Sequence, residues 1–184
     1  MSLRIVAGAL RGRGLVAPAG LGTRPTAQRM RQAMFDMLMH APWAEGRIVG
    51  AAVLDAFAGT GALGLEAVSR GAARCAFIER DRAALVALRA NIAACRVEDV
   101  CRVVPGDAVR PPRGEACDLV FLDPPYGMDL APLAVAALQG AGWIAPHALL
   151  VVETGRDEAL VLPGERLVER NHGAALVSVW RVSG

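Results

Sequence analysis

From residue 50 onward, short apolar runs of strand length alternate with segments whose apolar residues recur at helical spacing. The run 51–57 is apolar as far as Asp55, and the segment 82–94 places Leu88 and Ile92 on one helical face. Strands that alternate with helices in this way form a parallel sheet with helices on both faces. The predicted strands are 51–57, 74–79, 100–104, 118–122 and 148–153, and the predicted helices are 63–70, 82–94 and 131–139.

The two ends of the chain follow other patterns. The apolar pieces 4–8 and 14–16 are separated by glycine and arginine, which predicts a small N-terminal hairpin. Methionine, alanine and leucine then recur at helical spacing until Pro42, which ends the predicted helix. Near the end of the chain, the segments 166–169 and 174–182 predict a second hairpin. Its turn is predicted at Asn171, His172 and Gly173.

One apolar stretch, residues 130–152, contains no Asp, Glu, Lys or Arg and is long enough to resemble a membrane span of about 20 residues. Pro132, Gly140, Gly142 and Pro146 interrupt it. We therefore interpret this stretch as a buried helix followed by a buried strand, because each element then has an ordinary length.

The composition is that of a single domain. The chain has 184 residues, of which 54% are hydrophobic, so it can bury a substantial core without disulfides or metal. Its four cysteines form no C-x-x-C pair and have no histidine nearby, which predicts reduced, mostly buried thiols rather than a zinc site. No apolar leader precedes Arg4, so the protein is expected to be cytoplasmic.

Positive charge is concentrated at the start of the chain. Residues 1–35 contain six arginines and no acidic residue and so carry +6, whereas the whole chain carries +2, which leaves −4 for the remainder. The six are Arg4, Arg11, Arg13, Arg24, Arg29 and Arg31. This asymmetry indicates a basic arm on an acidic body, and a basic arm favours nucleic acid as a partner. A solvated charged face is the structural alternative.

A strand that runs into a glycine turn is the first sign of a ligand site. The sequence Asp55-Ala-Phe-Ala-Gly59-Thr-Gly61-Ala-Leu-Gly64 ends a predicted strand and opens a helix. Glycines at these positions let the backbone approach a ligand and let the helix pack closely on the strand. Glu79, at the end of the next strand, can accept hydrogen bonds from a ribose. Alone, these features fit a nicotinamide or flavin enzyme equally well.

The tetrapeptide Asp123-Pro124-Pro125-Tyr126 directly follows an apolar strand and therefore lies beside the nucleotide crevice. An exocyclic amino group is a poor nucleophile because its lone pair is delocalised into the ring. The Asp123 carboxylate and the Pro124 carbonyl can accept hydrogen bonds from that group and aim its lone pair at a methyl donor. The prolines stiffen the loop, and Tyr126 can stack on an extruded base. An ordinary Pro-Pro turn is the structural alternative.

Asp107 follows the strand 100–104 after a Pro-Gly turn and is placed to hydrogen-bond an adenine amino group. A turn-forming aspartate fits this position nearly as well. The sequence offers no Ser/His/Asp constellation, and its histidines, His40, His147 and His172, lie in unrelated contexts. We therefore expect neither a nucleophilic triad nor a metal site.

These motifs resemble the RsmD-type family of bacterial 16S rRNA guanine-N2 methyltransferases, and the resemblance extends over nearly the whole chain. Its specific part is N-terminal: the opening Arg4-Ile-Val-Ala-Gly8, the Arg11-Gly-Arg13 turn, and Thr23-Arg24-Pro25-Thr26 leading to Phe35 and Leu38. The remaining motifs are shared by many amino-group methyltransferases.

The resemblance implies a Rossmann-like class I methyltransferase fold, with a seven-stranded, mostly parallel sheet whose last strand is antiparallel. It implies one domain, 1–184, in which 1–45 is a basic RNA-binding hairpin and helix and 50–184 is the catalytic core. It further implies S-adenosylmethionine as cofactor and 16S rRNA, free or in the assembling small subunit, as substrate. We expect a monomer with no membrane partner.

The functional residues that follow from the motifs and the resemblance fall into three groups. The expected cofactor residues are Asp55, Phe57, Ala58, Gly59, Thr60, Gly61, Glu79, Arg80, Asp107, Ala108 and Asp123. The expected catalytic residues are Asp123, Pro124, Pro125 and Tyr126. The expected RNA phosphate contacts are Arg11, Arg13, Arg24, Arg29 and Arg31.

Other functions remain open at this point. Enzymes that methylate adenine N6 or a glutamine amide usually carry Asn where this chain has Asp123, and the basic arm favours nucleic acid over protein. A nicotinamide dehydrogenase would have no use for Tyr126. A noncatalytic RNA-binding or ribosome-assembly protein would keep its function after Asp123→Ala.

Overall fold

The computed structural model describes residues 3–18, 25–44 and 46–184, and the side chains of all of these except residues 25–27. Helices and strands alternate after residue 50, as predicted. In chain order the elements are α1 (Pro25–His40), β1 (Ala52–Asp55), α2 (Ala62–Ser69), β2 (Arg74–Glu79), α3 (Arg82–Cys95), a 3-10 helix (Glu98–Val100), β3 (Cys101–Pro105), β4 (Cys117–Leu122), α4 (Leu130–Gly140), β5 (Ile144–Gly155), β6 (Glu165–His172) and β7 (Ala175–Arg181).

These strands form one seven-stranded sheet in the order β3-β2-β1-β4-β5-β7-β6. Strands β1 to β5 pair in parallel, whereas β7 is antiparallel to both β5 and β6. The predicted Rossmann-like sheet with an antiparallel last strand is therefore confirmed. The order of the strands reverses between β1 and β4, and ligands bind at such a switch point, beyond the carboxyl ends of the strands.

Two elements at the end of the chain differ from their predicted bounds. β5 is longer than 148–153 because its start pairs with β4 at Cys117 and its end pairs with β7 at Ala175. The predicted turn of the second hairpin began too early, since Asn171 and His172 still pair across the hairpin. The turn begins at Gly173, whose φ of 67° is the positive value that the first position of a tight hairpin turn requires.

Apolar side chains cover both faces of the sheet. On one face, Phe35 of α1 and Leu88 of α3 pack with Phe121 of β4. On the other face, Leu138 of α4 packs with Trp143 and the alternate residues of the strands. The uncharged stretch 130–152 thus forms a buried helix and most of a buried strand, as interpreted. Within the described ranges, no helix is long and apolar enough to cross a membrane.

The four cysteines are all free. Three of them are buried, and Cys101 is partly exposed. The prediction of mostly buried thiols is therefore confirmed. Burial raises the pKa of Cys101 to about 12, so this thiol is not activated as a nucleophile.

Residues 3–18, here called the N-terminal arm, fold back as a small hairpin against the body. The pairing includes a bridge between Arg4 and Gly14 and a hydrogen bond from the Leu15 N–H to the Leu3 carbonyl at 2.8 Å. Ile5 and Leu15 are buried in the same apolar layer as α1, α2 and α3. The arm is consequently packed into the domain instead of projecting from it.

Candidate functional site

A cleft of about 870 Å³ opens at the carboxyl ends of β1, β2 and β4, at the point where the strand order reverses. The start of α3 and Pro18 of the N-terminal arm also border it. Ten residues named from the sequence line this cleft together: Phe57, Gly59, Glu79, Arg80, Asp107, Ala108, Asp123, Pro124, Pro125 and Tyr126. The glycine turn and the Asp-Pro-Pro-Tyr segment therefore face one common space.

The glycine turn leaves its backbone open to the cleft at Gly59. This residue has a φ of 53°, and a Cβ added to it would meet no atom within 4 Å. The Gly59 N–H donates to Glu79 Oε2 at 2.7 Å, while Glu79 Oε1 accepts from the N–H groups of Arg80 and Asp81. Both oxygens of Glu79 are thus held in place at the tip of β2.

Asp55 lies behind the turn. It is 1% exposed, and its Oδ2 accepts a hydrogen bond from the Gly64 N–H at 3.0 Å. Burial raises the pKa of Asp55 to about 7; the Gly64 hydrogen bond opposes this shift, and the charge of Glu79 adds to it. Among the described residues, Asp55, Ala58, Thr60 and Gly61 are not in the lining of the cleft. These four residues form or support the glycine turn, and their contact with a cofactor stays a prediction.

Asp107 combines the two roles considered for it. Its Oδ1 accepts from the Val109 N–H at 3.1 Å, which is a turn-forming bond, and its Oδ2 accepts from Arg80 Nη1 at 3.0 Å. It also lines the cleft. A carboxylate has about four acceptor positions. Asp107 can therefore accept a further hydrogen bond from a ligand without giving up either partner.

Residues 123–127, here called the target loop, leave β4 directly beside the end of β5. Leu122 of β4 pairs with Val152 of β5, and Asp123 and Glu153 are the next residues along these two adjacent strands. Asp123 is accessible from the cleft, but protein atoms surround it on its other sides. This desolvation, together with the charges of Glu153 and Asp55, raises the pKa of Asp123 to about 8.

Two glutamates hold the target loop: Glu153 lies near the end of β5, and Glu158 follows that strand. The Tyr126 hydroxyl donates to Glu153 Oε1, and 45% of Tyr126 remains exposed. Glu158 Oε1 accepts from the Gly127 N–H at 2.6 Å and from the Gly155 N–H at 3.2 Å. Sequence reasoning missed Glu158, because nothing in the linear sequence links it to Gly127, 31 positions away.

The N-terminal arm is attached to α2 by side chains that sequence reasoning also missed. Glu66 is fully buried, and its carboxylate accepts from the N–H groups of Val6 and Ala7. The Ser69 carbonyl accepts from the Ala9 N–H at 2.7 Å. At Gly8, whose φ is 82°, a Cβ would lie 1.9 Å from that carbonyl oxygen. The sequence did contain one sign of this attachment, since Glu66 is an acidic residue within the otherwise apolar helix α2.

The arginines of the basic region have different surroundings. Arg11, Arg13 and Arg29 are exposed. Arg31 is only 5% exposed; its Nη2 donates to the Arg4 carbonyl at 2.6 Å, and its Nε lies 3.7 Å from a carboxylate oxygen of Glu66. This buried position does not suit the expected phosphate contact, and Arg31 instead supports the N-terminal arm. Arg24 lies outside the described residues.

No group of three or more His, Cys, Asp or Glu in the described part of the chain is arranged to hold a metal ion.

Comparison with known proteins places this cleft in a family. The family model described as "Conserved hypothetical protein 95" matches residues 3–180. The "Ribosomal RNA small subunit methyltransferase D" of Escherichia coli K12 is 39% identical over 160 residues, which are 86% of this chain and 77% of the relative. The Haemophilus influenzae protein of the same name is 35% identical over 181 residues, 96% of this chain and 91% of the relative.

The chain belongs to the RsmD family. The solved structure of the Escherichia coli protein yhhF superimposes on it with a TM-score of 0.85 and 34% identity, covering 100% of this chain and 99% of the other. The resemblance inferred from the arginine-rich opening and the Asp-Pro-Pro-Tyr segment is therefore confirmed. So is the class I methyltransferase fold that this resemblance implied.

Proposed function

We propose that this protein uses S-adenosylmethionine to methylate the N2 amino group of a guanine in 16S rRNA. One observation carries the proposal: the target loop, with Asp123 and Tyr126, lines the same cleft as Gly59, Glu79 and Asp107. A site for an aromatic amino substrate thereby adjoins a site built for a nucleoside. The names of the relatives from Escherichia coli and Haemophilus influenzae support an RNA substrate.

The residues around the cleft fit this cofactor, which when bound supplies an electrophilic methyl group on a sulfonium. Gly59 leaves room for a ligand against the backbone. The Glu79 carboxylate can accept hydrogen bonds from ribose hydroxyls, and Asp107 can accept one from an adenine amino group. Phe57 and Ala108 add apolar surface for the adenine ring. A cationic sulfonium nearby would favour the charged form of Asp123, whose carboxyl has a pKa of about 8 in the free protein.

The target loop supplies what an amino nucleophile needs. The Asp123 carboxylate and the Pro124 carbonyl accept hydrogen bonds from the two amino hydrogens, so the nitrogen lone pair is directed at the methyl carbon. As the nitrogen–carbon bond forms, the methyl carbon–sulfur bond breaks and the sulfonium leaves as a neutral thioether, while the nitrogen releases a proton to Asp123 or to water. A carboxylate with a pKa of about 8 in the free protein can accept a proton near neutral pH. Tyr126 stacks on the extruded base.

The N-terminal region supplies the grip on RNA. Residues 1–45 form the RNA-binding part and residues 50–184 the catalytic core of this single domain. Arg11, Arg13 and Arg29 are exposed and can contact phosphates. Arg24 completes this set by its place in the sequence. We propose that the protein acts as a monomer on free 16S rRNA or on the assembling subunit.

Methyl transfer to a mapped nucleoside tests the proposal. The protein is incubated with labelled S-adenosylmethionine and unmodified small-subunit RNA or particles, and the labelled nucleoside is identified. N2-methylguanine is the expected product, and N6-methyladenine would reject the guanine assignment. Asp123→Ala should abolish transfer, whereas cofactor binding should be weakened at most and not lost, and Asp99→Ala, on the exposed 3-10 helix, is the matched control. Transfer that persists in Asp123→Ala would contradict the assigned role.

A further inference from the structure

The end of the N-terminal arm, Val16 to Pro18, lies against Asn91 of α3 and reaches the rim of the cleft. The Val16 N–H donates to Asn91 Oδ1 at 2.8 Å, and Asn91 Nδ2 donates back to the Val16 carbonyl at 2.9 Å. Two residues further on, Pro18 borders the cleft. The arm thus contributes part of the wall beside which the proposed cofactor lies.

The same amide also holds the glycine turn. Asn91 Nδ2 donates a second hydrogen bond, to the Thr60 carbonyl at 2.9 Å, and Asn91 is only 1% exposed. Thr60 lies between Gly59 and Gly61. Hydrogen bonds sheltered from water are electrostatically stronger than exposed ones. One buried side chain therefore joins the arm to the turn at the base of the cleft.

The exposed arginines of the arm lie between its two attachments. Glu66 of α2 holds the backbone of Val6 and Ala7, and Asn91 holds the backbone of Val16. Arg11 and Arg13 fall between these points, and both are exposed. A phosphate bound at Arg13 therefore contacts a segment that reaches the wall of the cleft five residues later, at Pro18.

We propose that Asn91 is a positioning residue that makes the arm part of the cofactor site, so that RNA and cofactor strengthen each other's binding. The inference rests on the proposed function for the identity of both ligands. Coupling of this kind is reciprocal, because each ligand favours the same ordered arrangement of Val16, Pro18 and Thr60. Asn91 would thus influence the binding of both ligands without contacting either of them.

Calorimetric titration with S-adenosylhomocysteine, which binds as the cofactor does but transfers nothing, measures the coupling. The titration is done with the full chain alone and with the chain saturated with an unmodified small-subunit RNA transcript. In the wild type, RNA should tighten binding by about fivefold or more. In Asn91→Ala the ratio of the two dissociation constants should fall to about one. The matched control is Val86→Ala, at an exposed position of the same helix, which should keep the wild-type ratio.

A second variant addresses the case in which Asn91→Ala does not fold. Pro18→Gly leaves the buried amide intact and loosens only the wall of the cleft. It should weaken S-adenosylhomocysteine binding and reduce the ratio, whereas RNA binding without the nucleoside stays as in the wild type. A residue that served folding alone would change the melting temperature and leave the ratio unchanged.

The outcomes separate this inference from the proposed function. A wild-type ratio of one in a protein that methylates guanine in RNA would overturn the coupling and leave the proposed function standing. An unchanged ratio in folded Asn91→Ala and in Pro18→Gly would also overturn it. A wild type that binds neither S-adenosylhomocysteine nor RNA would overturn both.

Discussion

The hydroxyl of Tyr126 donates a hydrogen bond to Oε1 of Glu153, so the aromatic ring of the target loop is fastened to β5. Nearly half of the tyrosine is still exposed. This hydrogen bond restricts the rotation of the Tyr126 side chain and leaves the face of its ring available for stacking on a base.

Substitutions of Tyr126 should separate stacking from fastening. Tyr126→Ala removes the ring and should raise KM for RNA by about 5- to 150-fold, the equivalent of about 1 to 3 kcal/mol of stacking. Tyr126→Phe keeps the ring and loses only the bond to Glu153, so we expect a loss of about tenfold or less. Steady-state kinetics with a small-subunit RNA substrate give both values. Equal losses in the two variants would argue against stacking.

The pH profile of methyl transfer should report Asp123. The carboxyl of Asp123 in the free protein has a pKa of about 8, and only its charged form can take up the proton that the amino group releases. With both substrates limiting, kcat/KM should therefore rise with pH until about 8 and then level off. Asp123→Asn cannot titrate, and its residual activity should lack this rising limb. If kcat/KM of the wild type does not change between about pH 6 and about pH 9, Asp123 is not the proton acceptor.

Glu158 should matter for the target loop although it touches no proposed ligand. Its Oε1 joins the N–H groups of Gly127 and Gly155, and Glu158→Ala leaves both without this partner. We expect kcat/KM for RNA to fall by about 10- to 100-fold while the dissociation constant of the cofactor changes little. Asp157→Ala removes the neighbouring exposed carboxylate and is the matched control. Parallel losses in both variants would indicate a general charge effect.

Asp55 should make stability depend on pH. Its pKa is about 7 in the folded protein, compared with an ordinary value of 3.8. Between about pH 4 and pH 7 the side chain is therefore ionised in the unfolded chain but still protonated in the folded protein. Wild-type stability is therefore lowered progressively as the pH rises through this window, and the penalty is constant above it. Asp55→Asn carries no such penalty. Its unfolding free energy relative to wild type should increase by on the order of a few kcal/mol from pH 4 to pH 8, measured by urea denaturation.

The exposed and buried arginines of the basic region should respond differently to substitution. Alanine at Arg11, Arg13 or Arg29 should make the logarithmic salt dependence of RNA binding shallower by about 0.7 to 0.9 each, since one phosphate contact is lost. Arg31→Ala should leave this slope unchanged and lower the free energy of unfolding by about 1 to 3 kcal/mol, because the Arg4 carbonyl and Glu66 lose a buried partner. A shallower slope in Arg31→Ala would return this residue to the RNA contacts.

Much of the site could be predicted because parallel strands bring their carboxyl ends to one edge. Gly59, Glu79 and Asp123 each follow an apolar run, and that position alone placed them in a common cleft. Alternation of strands and helices likewise predicted the parallel sheet. The antiparallel direction of β7 was predicted only from the family resemblance. The local pattern of 174–182 predicts a hairpin but does not give the direction of its strands within the sheet.

The remaining features depend on contacts between distant segments. Arg31 has the same sequence character as Arg29, and only the packing of α1 against α2 distinguishes the buried arginine from the exposed one. The bond from Gly127 to Glu158 joins two loops that no periodicity connects. The target loop and the arm are held by such pairs, so their supports were invisible to patterns of 2 or 3.6 residues.

Helix α2 begins at the glycine turn and ends at Ser69, beside the arm. Its eight residues correspond to about 12 Å of helix. The glycine turn and the attachment of the arm at Ser69 therefore lie at opposite ends of one short helix. Under the proposed function, the length of this helix would help to fix the distance between the RNA phosphates at the arm and the guanine in the cleft, and so limit which guanines the site can reach.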